Sequence, residues 1–304
     1  MSASPLVSIH EPRVRPHDGL EWPARLELLR QDLARYSRVV VAYSGGVDSS
    51  VVLRVARDVL GDAAHAVIGR SDSYAADELA LALAQAHALG ATVEIVVTGE
   101  LSDPNFASNP SNRCYHCKSE LYRQLDRVAA RIGAVAVLDG TILEDLGDHR
   151  PGRVAAAEHD VRSPLAELGF TKRDVRAVAA HYGLASAEKP ASPCLASRIP
   201  YGTAITRENL GQVEQAERAL RALGFRELRV RHHGDVARIE VGSSELPRLL
   251  EQSLRDKVVT SILATGYRYV SVDLEGFRSG NLNRVLANSS SLPDNSGTVS
   301  GVGL

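Results

Sequence analysis

A β-branched run passes without a break into a glycine turn. Arg38-Val-Val-Val-Ala-Tyr43 is followed by Ser44-Gly-Gly-Val-Asp-Ser-Ser50, and helix-forming sequence begins at once. Such a run suits a strand buried on both faces, as parallel strands are. The alternation then repeats. Helices are expected at about Ser49–Leu60, Ala75–Leu89 and Lys118–Ile132, and strands at His65–Gly69, Thr92–Val97 and Ala134–Leu138. A helix over Pro23–Ser37 precedes the series, a weaker strand is expected near Val161, and Thr171 with Asp174 reads as a capping box for a helix stopped at Gly183. Strands alternating with helices of this length predict an α/β fold, a doubly wound parallel sheet.

The pattern changes beyond residue 184. Ala185–Thr206 holds three prolines and little periodicity, and reads as a long loop of the kind that carries function. A helix over Glu208–Leu223, strands at Glu227–His232 and Val236–Val241, a helix over Glu245–Ala264 and a strand at Arg268–Leu274 form a smaller α+β domain. The expected organisation is a disordered tail (1–19), the doubly wound domain (20–184), the loop (185–206), the small domain (207–286) and a Ser/Asn/Gly-rich disordered tail (287–304).

In an open parallel sheet, ligands bind beyond the carboxyl ends of the strands. Gly45 and Gly46 let backbone N–H groups approach an anion, the following helix N-terminus favours phosphate, and Ser44 and Ser49 add hydroxyls. Asp48 beside a phosphate calls for a divalent cation between them, Mg²⁺ by default. The loop is neither G-x-x-x-x-G-K-[ST] nor G-x-G-x-x-G. The bland alternative is an ordinary glycine-rich turn. The loop resembles the SGGxDS pyrophosphate loop of the N-type ATP pyrophosphatases. That resemblance implies an adenine nucleotide alpha hydrolase-like fold, binding of ATP, adenylation of a substrate oxygen and release of pyrophosphate. Adenylation turns a poor leaving oxygen into AMP, and the nucleophile that follows is ammonia or sulfur. No glutaminase domain is visible to supply ammonia.

Three cysteines fall in two motifs, Arg113-Cys-Tyr-His-Cys-Lys118 and Ser192-Pro-Cys-Leu-Ala-Ser-Arg198. C-x-x-C spacing lets Cys114 and Cys117 converge on one metal. The alternatives are a pair of small buried residues, or zinc with His116 or a distant histidine. With the middle motif Asp139-Gly-Thr-Ile-Leu-Glu-Asp-Leu-Gly-Asp-His-Arg-Pro-Gly152, the chain from about residue 20 to 286 resembles the LarE family. Its members are ATP-dependent sulfur transferases that make the nickel-pincer nucleotide cofactor of lactate racemase. The resemblance implies a small-molecule nucleotide substrate, pyridinium-3,5-biscarboxylic acid mononucleotide, whose carboxylates are adenylated and converted to thiocarboxylates. In one branch a single cysteine at the position of Cys194 gives up its own sulfur and becomes dehydroalanine. In another, three cysteines hold a 4Fe-4S cluster. Four thiolates normally hold such a cluster, and three would leave one iron open. Zinc on three thiolates would also keep an open position but offers no sulfur store. A cluster on Cys114, Cys117 and Cys194, fed by sulfide or another sulfur donor, is therefore expected.

Arg229 and Arg231 alternate in a strand and share one face, which suits a phosphate; the alternative is a solvated edge strand. Arg198 is a second phosphate candidate. Glu214, Glu217 and Asp235 could place a Mg²⁺ nearby, although carboxylates on a helix are usually just solvated. Gly140 and the Gly69–Ser71 segment, at strand tips beside the loop, are expected to read adenine with backbone groups, with Ser71 the named contact. Asp273–Asn281 resembles a family signature of unassigned role.

Lys and Arg number 35 against 37 Asp and Glu, a formal charge of −2, and aromatics are 5%. These values argue against bulk nucleic-acid binding, and so against a tRNA thiolase. An ammonia-dependent synthetase of the NAD or GMP type would leave the cysteines without a task. A non-enzymatic nucleotide sensor is the third rival. An odd cysteine count and the lack of a secretory or membrane-spanning run point to the cytoplasm and away from a membrane. A homo-oligomer is expected.

Overall fold

The computed structural model describes residues 19–147, 151–190 and 192–278. The expected tails at 1–19 and 287–304 (Gly19 aside), Asp148–Arg150 of the middle motif and the end of the Asp273–Asn281 segment lie outside these residues. The chain divides into two compact units. The first runs to Ala196 and takes in Tyr201–Leu210; the second is Ser197–Pro200 and the chain from Gly211.

In the first unit, α1 (Trp22–Leu33) leads into β1 (Val39–Ala42), α2 (Val47–Leu60), β2 (Ala64–Arg70), α3 (Ala76–Ala88) and β3 (Thr92–Val97). A short α4 (Pro104–Ala107) precedes the long α5 (Arg113–Ile132), then β4 (Ala136–Leu138), α6 (Gly152–Glu158), α7 (Pro164–Glu167) and α8 (Lys172–His181). The four strands are parallel in the order β3-β2-β1-β4. Both faces are covered, as the apolar strands require. Val39 and Val41 pack with Leu29, Val52 and Val175 on one side, while Val40 meets Tyr122, Leu125 and Ala155 on the other. With β2 and β3 to one side of β1 and β4 to the other, the winding reverses at β1. The glycine loop therefore leaves the sheet at its topological switch point.

The second unit contains most of α9 (Arg207–Ala222), then β5 (Leu228–His233), β6 (Val236–Val241), α10 (Leu246–Leu250), α11 (Gln252–Leu263) and β7 (Tyr269–Val272). β5 and β6 form an antiparallel hairpin, and β7 joins β6 in parallel. Val230, Ile239 and Val241 bury against Leu220, Phe225 and Ile262.

Three expectations shift. Near Val161 there is a single bridge, Leu138 to Arg162, because Pro164 lacks an N–H and opens α7 two residues later. The expected helix over Glu245–Ala264 is two helices, parted where Glu251 turns extended (φ −59°, ψ 129°). The third helix starts at Arg113, not Lys118, so the C-x-x-C lies inside its first turns. Just before it, buried Asn109 (φ 57°) accepts from Arg113 Nη1 at 2.7 Å.

Candidate active site

The glycine loop is held as a rigid cradle. Gly45 has φ 66°, and a Cβ there would lie 2.6 Å from the Ala82 Cβ, so the residue can only be glycine. Gly46 is the N-cap of α2. Ser49 Oγ donates to the Gly46 carbonyl at 3.2 Å, and the Ser44 N–H donates to Ser49 Oγ at 3.2 Å. The Tyr74 hydroxyl fixes the loop from outside, donating to the Ser44 carbonyl at 2.8 Å. Ser44 is exposed while Gly45 and Ser49 are buried, which leaves the rim of the cradle open.

Asp48 points its carboxylate at Lys172, whose Nζ is 2.7 Å from each oxygen. Burial pushes the Asp48 carboxyl up; Lys172 pulls against it, and the field of Asp145 adds to the rise. Lys189 reaches the same loop, donating to the Gly45 carbonyl at 3.2 Å and pairing with Glu78 at 2.7 Å.

The neighbouring strand tips lie where the doubly wound order predicts. Gly140, just beyond β4, presses on the first turn of α2, where a Cβ would meet the Ser49 nitrogen at 2.7 Å. Asp139 builds that approach. It is buried and accepts from Tyr122 (3.2 Å), Thr141 Oγ1 (2.8 Å) and Ser163 Oγ (2.8 Å). At the tip of β2, the Ser71 hydroxyl is 2.9 Å from Ser73 Oγ and accepts from the Ser73 N–H.

The long loop is tied to this unit at several points. Lys189 holds the glycine loop, the Leu195 N–H donates to the Ser73 carbonyl at 2.8 Å, and Gly202 and Ile205 donate to the carbonyls of Asn109 and Ala107. Arg113 stacks on Tyr201 with its guanidinium 4.7 Å from the ring centre. Cys194, beside Leu195, is thereby brought to the C-x-x-C. Burial pushes the Cys117 thiol well up, and the nearby Glu100, Cys194 and Cys114 push it further against Lys118. Thiols are the donor kind an iron–sulfur group takes, and Cys194 and Cys114 both lie near enough to Cys117 for their fields to act on it. Cys114 is exposed, Cys117 and Cys194 are partly buried, and among the described residues no three His, Cys, Asp or Glu side chains stand at metal-holding distance. His116 faces Asp103 at 3.7 Å.

Glu100 carried no sequence signal. It is 3% exposed and accepts from Ser73 Oγ at 3.1 Å, and among the described residues its buried Oε2 has no hydrogen-bond partner. Lys172 and Lys189 were also missed, though Lys172 opens the capping-box helix and Lys189 sits five residues before Cys194.

The second unit places Arg229 and Arg231 on one face of β5, as their alternation predicts. Arg229 is partly buried, stacks on Phe277 at 4.8 Å and is lowered to about 10, first by burial and then by the field of Arg198. Arg231 is buried, donating to the Ser197 carbonyl at 2.9 Å and to Glu240 at 2.7 Å. Arg198, the second phosphate candidate, is 2% exposed and donates Nε and Nη2 to Glu217 (2.8 and 3.0 Å). Glu217, a candidate for Mg²⁺, is committed to this pair on both oxygens. Its oxygens also accept from the Val230 N–H and Arg221. Burial works to raise its carboxyl, yet Arg198, Arg229 and Arg221 hold it below the usual range. Asp235 sits in the β5–β6 turn, 3.5 Å from Arg268, and Glu214 pairs with Arg218 at 3.6 Å.

A parallel sheet with a Ser-Gly-Gly-Val-Asp-Ser loop at its switch point defines a nucleotide-binding α/β fold of the pyrophosphate-loop class. No family model matches the chain. It is 44% identical over 250 residues to the pyridinium-3,5-bisthiocarboxylic acid mononucleotide synthase of Lactiplantibacillus plantarum, covering 82% of this chain and 90% of that enzyme. An uncharacterized protein of Synechocystis sp. is 46% identical over 86% of this chain and 98% of its own. The tRNA-specific 2-thiouridylase of Xanthobacter autotrophicus is 34% identical over about half of each chain, at 51% and 50%. The chain belongs to the LarE family, and it is an enzyme of the sulfur-transferring kind. Among the described residues no helix is long and apolar enough to cross a membrane.

Proposed function

We propose that this chain is an ATP-dependent sulfur transferase that converts pyridinium-3,5-biscarboxylic acid mononucleotide to the bisthiocarboxylic product for which its Lactiplantibacillus plantarum relative is named. The nickel-pincer cofactor of lactate racemase would be the destination. The single observation that carries the reading is the way the Cys194 segment is fastened: Lys189 ties it to the glycine loop and Leu195 to the β2 turn, so the sulfur chemistry stands beside the adenylating loop.

In this reading Ser44–Ser49 hold the pyrophosphate part of ATP through N–H groups and hydroxyls. Asp48 meets it through Mg²⁺. Backbone groups at Gly140 and around Ser71 take the adenine side. A substrate carboxylate oxygen attacks the α-phosphorus, pyrophosphate leaves, and a sulfur nucleophile then displaces AMP from the acyl carbon. Arg229 and Arg231 hold the substrate phosphate. Cys114, Cys117 and Cys194 would hold a 4Fe-4S group, which when bound supplies an exchangeable sulfur at the iron left without a cysteine. Sulfide would be the donor, and the working form a homo-oligomer.

The test is incubation with the biscarboxylic mononucleotide, ATP, Mg²⁺ and sulfide. Pyrophosphate release and replacement of one oxygen by sulfur at each carboxylate are expected, and Asp48→Ala should abolish both with the fold intact. Thiolation of tRNA, or pyrophosphate release with nicotinate or xanthine nucleotides instead, would assign the chain to another pyrophosphate-loop activity.

A further inference from the structure

The glycine loop has an electrostatic gap. Ser44–Ser50 contains no basic residue, whereas the Walker phosphate loop carries a lysine of its own. A nucleoside triphosphate brings several negative charges, and Asp48 adds another. Two lysines from distant segments reach the loop, and they differ in freedom. Lys189 is largely buried (14% exposed) and committed to the Gly45 carbonyl and Glu78. Lys172 is 41% exposed, with its ammonium on the two oxygens of Asp48.

The backbone of Lys172 is fixed. It is the first residue of α8, behind a capping box in which Thr171 and Asp174 satisfy each other, and its N–H donates to Glu144 Oε1 at 2.8 Å. Its side chain has four flexible carbons, and among the described residues its ammonium is held only by Asp48. The ammonium thus occupies the side of Asp48 that a divalent cation would take. With a divalent cation held by Asp48, the Lys172 ammonium would be released from the carboxylate and free to turn to a phosphate.

We propose that Lys172 is the phosphate-contacting cation of this nucleotide site: it neutralises Asp48 in the free enzyme and transfers to the β- and γ-phosphates when Mg²⁺ and ATP bind. This rests on the reading of Ser44–Ser49 as the ATP loop. No bond is made or broken in the exchange; one ion pair replaces another.

Calorimetric titrations of wild type, Lys172→Met and Lys172→Arg with ATP, AMP and inorganic pyrophosphate, all with Mg²⁺, test it. Lys172→Met should weaken ATP and pyrophosphate by about tenfold or more, the scale of a lost charge-assisted hydrogen bond, and leave AMP unchanged. Lys172→Arg should retain most of the affinity, which also excludes a mere folding defect. Equal binding of ATP by Lys172→Met and wild type, or an equal loss of ATP and AMP, overturns the role of Lys172 alone. A wild type that binds none of the three overturns the loop reading and this proposal with it.

Discussion

Gly140 lies so close to the first turn of α2 that a Cβ on it would stand 2.7 Å from the Ser49 nitrogen and 3.1 Å from the Ser49 Cα. Both are backbone atoms of the glycine-loop helix, so no side-chain rotation relieves the clash. Gly140→Ala should therefore push the loop away from the β4 tip. We expect a stability loss of about 1–3 kcal/mol, the usual cost of overpacking. Pyrophosphate release should fall by more than that loss alone implies. Urea unfolding beside a turnover assay checks this; wild-type values in both would mean that the β4 tip yields freely.

Arg229 and Arg231 share a strand face but should answer differently to removal. Arg229 is partly exposed and rests on Phe277, while Arg231 is buried between the Ser197 carbonyl and Glu240. Arg229→Ala should raise the substrate KM by about tenfold with little change in Tm, as loss of a charge-assisted contact to phosphate would. Arg231→Ala should lower Tm as well, because it takes a charged partner away from the fully buried Glu240. An unchanged KM in both variants would assign the face to structure.

Glu217 is the anion at the centre of that face. Both partners of the Arg198–Glu217 pair are nearly inaccessible, at 2% and 1% side-chain exposure. Removing one member of a buried pair leaves the other charge uncompensated, at about 3–5 kcal/mol. Glu217→Ala should lose that much by chemical denaturation. A loss near zero would show that water reaches Arg198.

How much of this was legible in the chain depends on what kind of signal each part leaves. The sheet was readable because β1 is a β-branched run and the helices that follow repeat on one spacing. The glycine loop was readable because a backbone that must curve around an anion admits few residues, and Gly45 against Ala82 shows that restriction directly. The buried polar network was not. Arg198 and Glu217 are 19 positions apart, and nothing in either residue type tells a buried pair from two solvated charges. The role of Glu100 depends on Ser73, 27 positions away, and Lys172 meets Asp48 across 124. Long-range pairings of this kind follow from topology, which places the residues together after the local pattern has been spent. The start of α5 illustrates the same limit: the helix opens at Arg113, whose guanidinium meets Asn109, whereas the local pattern put its start near Lys118.

The hairpin histidines give a pH dependence. His232 is 4% exposed with Nδ1 3.1 Å from the Tyr267 hydroxyl, and burial lowers its pKa. His233 is lowered by burial and then by Arg238. A base whose folded pKa is depressed binds fewer protons folded than unfolded. The stability it leaves intact above the unfolded value, about 6.5, is lost as pH falls from there through the folded value. Urea midpoints should therefore drop between about pH 7.5 and pH 5.5, and His232→Asn should flatten that drop. An identical pH profile in the variant would place the titration elsewhere.

The cysteines decide how sulfur is delivered. Cys117 is held as a thiol first by burial and then by the field of Glu100, with Cys194 and Cys114 acting in the same direction, so on its own it is a poor nucleophile at neutral pH. That environment disfavours a lone thiolate and is relieved by a cation that several thiolates share, which is the argument for iron on all three. Anaerobically prepared protein should carry iron and sulfide, and each of Cys114→Ser, Cys117→Ser and Cys194→Ser should lose iron and activity together, with repeated turnover in the wild type when sulfide is supplied. Absorption spectra and metal analysis read the first result, and product counted per enzyme reads the second. The opposite result is equally sharp. If active protein contains no iron and the peptide bearing Cys194 loses the elements of H₂S after one turnover, Cys194 is consumed as the sulfur source. Cys114→Ser and Cys117→Ser would then keep single-turnover activity.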